Sequence, residues 1–251
     1  MPKNTRGELV GERTEAQMHN DIEFKKLALE LIEDSGENWS IHSMAVMKRN
    51  AISRILYLNE LYERILNVPG VICEFGVQWG ASFATLLNLR NIHEPYNVER
   101  YMYGFDTFEG FPEVSHQDGA AEAGDYASIH GHEKQLREIL SYHESISAFQ
   151  DRKMFELIKG DAVHSVDVWL NENPGASIAL AHFDMDLYAP TKSVLEKILP
   201  RFTRNSILVL DEFSQQKFPG EVMALREVID LMDVNVTRSK YQSHCAIVTF
   251  N

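Results

Sequence analysis

Two short apolar runs in this sequence each end in a pair of acidic residues. One run leads into Asp184 and Asp186, and the other leads into Asp211 and Glu212. Each run reads as a buried strand, and ligands of an open α/β sheet bind at the carboxyl ends of its strands. Four carboxylates on neighbouring strands would crowd one crevice, where like charges cannot all stay ionised. A hard divalent cation such as Mg²⁺, which prefers oxygen ligands, would relieve that repulsion, so the pattern predicts a metal site.

Three further predicted strands also end in an acid, namely Glu74, Asp106 and Asp161. Asp106 could accept hydrogen bonds from both hydroxyls of a ribose, and Asp161 could accept one from an adenine amino group. Phe108, close to Asp106, could stack on the adenine ring. Taken alone, Asp106 could equally be a turn cap, and Asp161 could belong to an ordinary Gly-Asp turn. Coincidence explains one acidic strand end easily, but it explains five poorly.

A turn rich in glycine follows Glu74, with Gly76 and Gly80 ahead of Ser82. Glycines let the backbone approach a ligand closely, and the helix that follows offers free N–H groups at its amino terminus. The spacing is not the G-x-G-x-x-G dinucleotide fingerprint, and the sequence has no Gly-Lys-Ser/Thr phosphate loop. A plain strand-to-helix turn is the alternative interpretation.

Together, these strand ends suit a cofactor that carries a ribose, an adenine and a positive centre. S-adenosylmethionine has all three, whereas the pyrophosphate of a dinucleotide would be repelled by so many acids. A nicotinamide-dependent dehydrogenase is therefore a distant alternative, since the dinucleotide fingerprint is also absent.

The composition limits the partners that the chain is expected to have. Its 251 residues, 44% of them hydrophobic, are enough for one sizeable core and a small cap. A formal net charge of −13 argues against nucleic acid or an anionic membrane as the main partner. The only cysteines, Cys73 and Cys245, each lie in an apolar run, which predicts free thiols and a cytoplasmic protein. No early apolar stretch indicates a signal peptide or a membrane span.

From Val71 onward, alternating strand and helix patterns predict βαβ units and a parallel sheet. A short polar connection joins the last two strands, which suits a hairpin and predicts one antiparallel strand at the edge. We expect an α/β, doubly wound sheet of seven mostly parallel strands over residues 69–251 and a helical cap over residues 1–68. Apolar spacing in the cap predicts helices at 24–32 and 41–66. The predicted strands are 71–77, 101–105, 154–159, 178–183, 207–210, 234–238 and 245–250.

The sequence resembles the TylF-type O-methyltransferases from about Arg49 to its carboxyl terminus. The features that carry the resemblance are the glycines after Glu74, the run Asp-Thr-Phe-Glu-Gly-Phe-Pro from Asp106, the motif Asp184-x-Asp186-Leu-Tyr, and the acid pair Asp211-Glu212. The resemblance implies a Rossmann-like class I methyltransferase fold and Mg²⁺-dependent methyl transfer from S-adenosylmethionine to a hydroxyl of a glycosylated natural product. The family usually has two aspartates where this chain has Asp211 and Glu212, so the reach of the second acid differs.

The resemblance also implies a role for each acid. Asp184, Asp211 and Glu212 would hold a Mg²⁺ ion that orients vicinal hydroxyls and lowers a hydroxyl pKa. Asp186 would be the general base, although the resemblance does not decide between Asp184 and Asp186 for these two roles. The residues expected to bind the cofactor are Glu74, Gly76, Gly80, Ser82, Asp106, Thr107, Phe108, Asp161 and Asp184.

Three other interpretations stay open. An amine acceptor, such as an amino-sugar nitrogen, would need less activation, and its methylation would survive chelation of the metal. A degenerate methyltransferase-like domain would bind a partner without catalysis. The acid cluster could also be structural, with Asp186 as a helix cap and Asp211 in a solvated turn.

The polar segment 113–133 is long for a connection in a compact domain, which is typical of an active-site lid. Its histidines His116, His130 and His132 are expected to be solvated. Arg49, Arg54 and Tyr57, in the helical cap, could reach the substrate or the cofactor from the same face. A glycosylated small molecule and a second copy of the chain, forming a homodimer, are the expected partners.

Overall fold

The computed structural model describes residues 3, 4, 6, 8, 13–213 and 216–251. The predicted cap over residues 1–68 therefore lies partly outside the described residues, because 1, 2, 5, 7 and 9–12 are not among them. None of the helices in the described ranges is long and apolar enough to cross a membrane.

One sheet of seven strands organises the described part of the chain, as predicted. Its spatial order is β3-β2-β1-β4-β5-β7-β6, so the order of the parallel strands reverses between β1 and β4. A reversal of this kind opens a crevice at the carboxyl ends of the two strands, where ligands of such sheets bind. The strands are β1 (Val71–Phe75), β2 (Met102–Asp106), β3 (Phe155–Lys159), β4 (Ile178–Phe183), β5 (Phe202–Leu210), β6 (Val234–Thr237) and β7 (Ala246–Phe250).

The antiparallel strand is β7, and it does not lie at the edge as the sequence predicted. It pairs with both β5 and β6, and β6 forms the edge. The burial of the two strands explains this order. Ala246, Ile247 and Val248 are all buried in β7, whereas every residue of β6 is at least partly exposed. A strand that is apolar on both faces is stable inside a sheet, whereas β6, with Asn235 pointing to solvent, tolerates an edge.

Helices cover both faces of the sheet and form two cores. On one face, α3 (Arg49–Ile65), α4 (Ala81–His93) and α5 (His132–Ser145) bury apolar side chains against the strands. On the other face, the core is closed by α6 (Ala162–Glu172), α7 (Tyr188–Ile198) and α8 (Gly220–Val228). Central strand β4 is buried at all six of its positions, as expected for a strand between two helical layers.

The amino-terminal region differs from the prediction in one respect. The helix expected at 41–66 is interrupted: α2 (Trp39–His42) leads into a 3₁₀ turn, and α3 begins only at Arg49. Ile41 and Met44 are 60% and 58% exposed, so little burial supports a continuous helix there. The prediction at 24–32 is confirmed within the longer α1 (Glu15–Asp34), none of whose residues is buried.

Candidate active site

The sheet register brings the predicted acidic strand ends together. Phe75, at the end of β1, pairs with Phe183 of β4, which in turn pairs with Leu210 of β5. The N–H of Asp184 donates to the carbonyl of Phe75 over 2.8 Å, and the N–H of Asp211 donates to the carbonyl of Phe183 over 3.0 Å. Both acids therefore leave the sheet at the same level, on adjacent strands.

A cavity of about 360 Å³ opens at this edge, a size typical of small-ligand sites. Nine of the predicted site residues line it, whereas Gly80, Phe108 and Glu212 do not. Phe108 is 6% exposed and belongs to the core on the α3–α5 face, so its ring is not available for stacking in this conformation. The nine lining residues are Glu74, Gly76, Ser82, Asp106, Thr107, Asp161, Asp184, Asp186 and Asp211.

Gly76 fits the turn after β1 because no side chain can be accommodated there. Its φ is +93°, and a Cβ atom on it would lie 1.9 Å from the carbonyl oxygen of Asp184. Gly80, which precedes α4, has a different neighbour: a Cβ atom there would lie 2.3 Å from Cδ1 of Leu136. Gly76 thus determines how closely the ends of β1 and β4 approach, while Gly80 allows α4 to pack against α5.

Asp106 and Asp161 are structural caps and also line the cavity. The carboxylate of Asp106 accepts the N–H of Gln78 at 2.7 Å and the N–H of Phe108, which fixes the glycine turn to β2. Burial raises the pKa of Asp106, and these backbone donors oppose that rise. Asp161 accepts the N–H of Val163 at 2.9 Å and caps α6. Each carboxylate therefore presents only its remaining lone pairs to a ligand.

Arg54 lies between the two strand-end aspartates and carries a positive charge into the cluster. From α3, its guanidinium donates to Asp211 and to Asp184, the latter over 3.2 Å. Two guanidinium nitrogens also donate to the Ser82 hydroxyl. The distance to Ser82 Oγ is 3.2 Å from Nε and 3.0 Å from Nη2. The side chain of Asp211 is only 11% exposed. Burial alone would raise the pKa of Asp211. Arg54 and His182 outweigh that effect and hold the pKa well below its usual range.

His182 is a second buried cation, to which sequence reasoning assigned no role. It is fully buried in β4, with Nδ1 3.9 Å from Glu74 and Nε2 3.6 Å from Asp211. Burial lowers its pKa, but the two carboxylates outweigh that effect and raise the pKa of His182 to about 10. A lone histidine inside an otherwise apolar strand was the signal for this residue.

Glu221 also belongs to the site, and no motif pointed to it. This fully buried residue of α8 accepts the N–H groups of Met185 and Asp186, at 2.9 and 3.1 Å. Those bonds hold Asp186 at a φ of +61°, in the left-handed region that aspartate tolerates better than most residues.

Asp186 does not cap a helix, because the N-cap position of α7 is Leu187. The structural interpretation of Asp186 is therefore wrong, and so is that of Asp211, which is 8% exposed rather than solvated.

The remaining acids are crowded enough that burial and mutual repulsion favour their protonated forms. Burial, followed by the charge of Asp211, raises the pKa of Asp184 to about 7 and that of Glu212 to about 8. Burial, followed by the charge of Asp184, raises the pKa of Glu221 to about 8 and that of Asp186 well above its usual range. Arg54 and His182 alone do not neutralise these groups, so the site has room for a further cation.

The donor set fits a metal ion at two of the three predicted ligands. A carboxylate oxygen of Asp184 and one of Asp211 lie within 4.8 Å of each other. Glu212 does not line the cavity, and its Oε2 is buried without a hydrogen-bond partner among the described residues. This carboxylate oxygen, which has no other partner in the described part of the chain, is therefore available to a cation. Asp184 and Asp211 are thus the better candidate ligands, and Glu212 would have to turn to join them.

The predicted lid segment 113–133 contacts the chain that follows β4, at Tyr188. Asp118, 2% exposed, accepts the N–H of Tyr188 at 2.6 Å, where α7 begins. His116 and His130 are exposed as predicted. The prediction is wrong for His132, which is 6% exposed because it starts α5 and packs edge-on against Trp79, with ring centroids 4.7 Å apart.

Comparison with known proteins identifies related sequences. The profile of the macrocin-O-methyltransferase (TylF) family matches residues 7–233. The chain is 28% identical over 192 residues to the 8-demethyl-8-(2,3-dimethoxy-alpha-L-rhamnosyl)-tetracenomycin-C 4'-O-methyltransferase of Streptomyces olivaceus, covering 71% of this chain and 66% of that protein. It is 26% identical over 189 residues to the mycinamicin III 3''-O-methyltransferase of Micromonospora griseorubida, covering 72% of this chain and 69% of that protein. The matches thus span about two thirds of these relatives.

Solved structures share the fold. A crystal structure of a calicheamicin methyltransferase has a TM-score of 0.86 and 34% identity, covering 97% of this chain and 99% of that one. An apo structure of a TDP-rhamnose 3'-O-methyltransferase from calicheamicin biosynthesis has a TM-score of 0.81 and 32% identity, covering 96% of this chain and 97% of that one. The structure of the O-methyltransferase NovP, at 18% identity, has a TM-score of 0.61 and covers 80% of each chain. The predicted Rossmann-like class I methyltransferase fold is confirmed.

The close approach at Gly76 predicts a large loss of stability for Gly76→Ala. A positive φ at alanine costs about 1–3 kcal/mol. The collision with the backbone of Asp184 adds an overpacking cost of about 1–3 kcal/mol. Gly124→Ala is the matched control, because Gly124 has a φ of +84° but nothing within 4 Å of the added Cβ. We expect urea denaturation to give a lower free energy of unfolding for Gly76→Ala than for Gly124→Ala. Equal losses would mean that strand spacing does not depend on Gly76.

The raised pKa values predict that the metal-free protein loses stability as the pH rises. Between the ordinary value of 4.5 and about 8, the folded state binds more protons at Glu221 than the unfolded chain does. Folding is therefore favoured at the lower pH, and this contribution disappears as the pH rises through that window. The unfolding free energy is measured in chelator between pH 5 and 8. Glu221→Gln should make its decline with pH less steep, by up to about 1.4 kcal/mol per pH unit. Glu196→Gln, at an exposed position, is the control, and an unchanged slope in Glu221→Gln would contradict the assignment.

Proposed function

The chain belongs to the macrocin O-methyltransferase (TylF) family, and on this basis we propose that it transfers a methyl group from S-adenosylmethionine to a hydroxyl of a sugar or glycosylated natural product. The observation that carries the proposal is one cavity at the carboxyl ends of β1, β2 and β4. The glycine turn at Gly76 and the acids Asp106, Asp184 and Asp186 all line this cavity. It therefore unites a candidate cofactor site with a candidate metal site and base.

The related proteins support a sugar hydroxyl as the acceptor. The two curated relatives described above are named as O-methyltransferases of a rhamnosyl-tetracenomycin and of mycinamicin III. A structural relative at 32% identity is described as a TDP-rhamnose 3'-O-methyltransferase. These names favour O-methylation over the amine alternative. They leave two forms of the acceptor, a sugar on a natural product and a sugar on a nucleotide.

We place S-adenosylmethionine in the cavity beside the turn after β1. The cofactor, when bound, supplies the electrophilic methyl group. Gly76 lines this part of the cavity without a side chain, and Asp106 offers its free lone pairs to ribose hydroxyls. Asp161, at the end of β3, is available to an adenine amino group. Holding nucleophile, methyl and sulfur in line is the main task of the protein here, because proximity can supply roughly 7–11 kcal/mol of the barrier.

We propose that Asp184 and Asp211 hold a Mg²⁺ ion. Such an ion, when bound, would orient adjacent hydroxyls and lower the pKa of one of them. Glu212 is the proposed third ligand, which requires its buried carboxylate to turn towards the cavity. The crowding that raises the pKa of Asp184 and Glu212 supports this assignment, since a cation would offset it.

Asp186 is the proposed general base that takes the proton from the acceptor hydroxyl. Asp184 contacts Arg54 and groups with His182 and Asp211, whereas Asp186 lines the cavity outside that group. This difference favours Asp184 as the metal ligand and Asp186 as the base. Burial and the neighbouring carboxylates raise the pKa of Asp186, which makes its carboxylate a stronger base.

We further propose that a second copy of the chain covers α1. Met18, Ile22 and Leu29 fall on one stripe of this helix at helical spacing and are 47%, 57% and 58% exposed. An apolar stripe of this kind is typical of an interface. In this proposal residues 1–68 serve association and substrate capture, and residues 69–251 bind the cofactor.

The function is tested by calorimetric titration with S-adenosylhomocysteine, with and without Mg²⁺, and with NAD⁺ as the control ligand. We expect S-adenosylhomocysteine to bind and NAD⁺ not to bind. Turnover of a glycosylated acceptor or a nucleotide sugar should then be lost in chelator and restored by Mg²⁺. Turnover that persists in chelator would favour the amine acceptor. Absence of S-adenosylhomocysteine binding would leave a degenerate binding domain as the better account.

The assignment of the base predicts that Asp186→Asn loses turnover but keeps cofactor binding. Asparagine also tolerates a positive φ, so the backbone bonds to Glu221 should be retained. We expect the turnover number to fall by about two to four orders of magnitude. Titration with S-adenosylhomocysteine should give the same affinity as in the unmodified protein.

Asp151→Asn, the same substitution at an exposed position outside the cavity, is the control for Asp186→Asn. It should leave both turnover and cofactor affinity unchanged. Turnover in Asp186→Asn at the level of the control would exclude Asp186 as the base.

A further inference from the structure

Arg54 makes the same contacts that a metal ion at this site would need. One terminal nitrogen donates to Oδ1 of Asp211, and the other lies 3.2 Å from Oδ2 of Asp184. Its side chain is only 20% exposed. The two aspartates sit on adjacent strands, so the guanidinium spans the ends of β4 and β5. A planar fork with several donors suits two carboxylates in this arrangement.

The guanidinium keeps the acid cluster folded when no other cation is present. Removing one partner from a buried ion pair is strongly destabilising, because the other charge is left without compensation. Arg54 reaches two buried carboxylates, and His182 supplies the other nearby positive charge. Without Arg54, Asp184 would lose its only ion-pair partner among the described residues.

A guanidinium and a divalent cation cannot both occupy this position. Each would fill the space between Asp184 and Asp211, and the two positive charges would repel each other at contact distance. We propose that Arg54 is a resident counter-ion that competes with Mg²⁺ for Asp184 and Asp211, and that metal binding releases the guanidinium from both aspartates. This inference rests on the proposed function, since it concerns the same metal site.

The surroundings of Arg54 allow such an exchange without movement of its helix. Tyr57 and Leu58, on the next turn of α3, are fully buried, so the helix is anchored in the core. Arg54 also lines the cavity and donates to the Ser82 hydroxyl from two nitrogens. Ser82 therefore offers the released guanidinium a partner on the wall of the cavity. The exchange is a rotation of one long side chain.

The test compares the affinity for Mg²⁺ of the unmodified protein with that of Arg54→Met. Methionine keeps much of the apolar volume but removes the competing charge. We expect calorimetric titration with Mg²⁺ alone to give a dissociation constant lower by about tenfold or more in Arg54→Met, as follows when an occupied competing state is removed. The melting temperature of metal-free Arg54→Met should be lower than that of the unmodified protein, and it should rise more steeply with added Mg²⁺.

Arg49→Met is the matched control, because Arg49 begins the same helix and is exposed. It should leave the affinity for Mg²⁺ unchanged. Arg54→Lys keeps one positive charge but cannot span both carboxylates, so we expect an intermediate affinity. In the unmodified protein, the Arg54 Nε–H resonance should shift on Mg²⁺ addition, a readout that does not depend on how any variant folds.

Three outcomes would overturn the proposal. Weaker Mg²⁺ binding in Arg54→Met would mean that Arg54 organises the metal ligands rather than competing for them. An Nε–H resonance unaffected by saturating Mg²⁺ would mean that the guanidinium is not released. Absence of Mg²⁺ binding in every variant would remove the competition altogether. Titration with S-adenosylhomocysteine separates these results from a failure of the proposed function, because cofactor binding would persist if only the metal competition is wrong.

Discussion

Repulsion among buried carboxylates is the constraint on which the rest of this site depends. Parallel strands that leave the sheet at the same level bring Asp184 and Asp211 side by side, and α8 adds Glu221 beneath them. In a low-dielectric interior these groups cannot all ionise without nearby cations. Arg54 and His182 supply part of that charge. The crowding that remains is the physical basis of the proposed cation site and of the proposed cofactor with a positive centre.

The backbone that carries these crowded carboxylates is held in a fixed conformation by neighbouring residues. Asp186 is held in a left-handed conformation by two N–H groups that share one oxygen of Glu221. Gly76 lets the end of β1 come so close to Asp184 that no side chain fits between them. Asp118 fixes the start of α7 from the lid. A carboxylate with a fixed direction can serve as a base or a ligand, whereas a mobile one would be screened by water.

Apart from the order of β6 and β7, the sequence was sufficient to predict the sheet and the position of the acids at the strand ends, for physical reasons. Apolar runs reveal buried strands, and the carboxyl ends of parallel strands must meet at one edge, so Asp184 and Asp211 could be assigned to a common site. Of the cap residues expected to reach the ligand, Arg54 lines the cavity, whereas Arg49 and Tyr57 do not. The pairing of Arg54 with the aspartates and the contacts of Glu221 could not be assigned from the sequence, because they depend on how α3 and α8 pack against distant strands. Phe108 shows the opposite difficulty. Its position next to Asp106 suggested a stacking ring, but its φ of +58° turns the side chain into the core.

The packing of α3 changes how the two predicted segments should be understood. Tyr57, Leu58 and Leu61 are fully buried in the core that also contains α4 and α5, so α3 is part of the sheet domain in terms of packing. α1, by contrast, buries none of its residues. A boundary at residue 68 therefore marks a change in the sequence pattern, whereas the hydrophobic core continues across it. Arg54 is carried by a helix that belongs to both, and it links the amino-terminal region directly to the strand ends. Because Tyr57 and Leu58 anchor α3 in this core, a ligand that displaces the guanidinium would move one side chain and leave the helix in place.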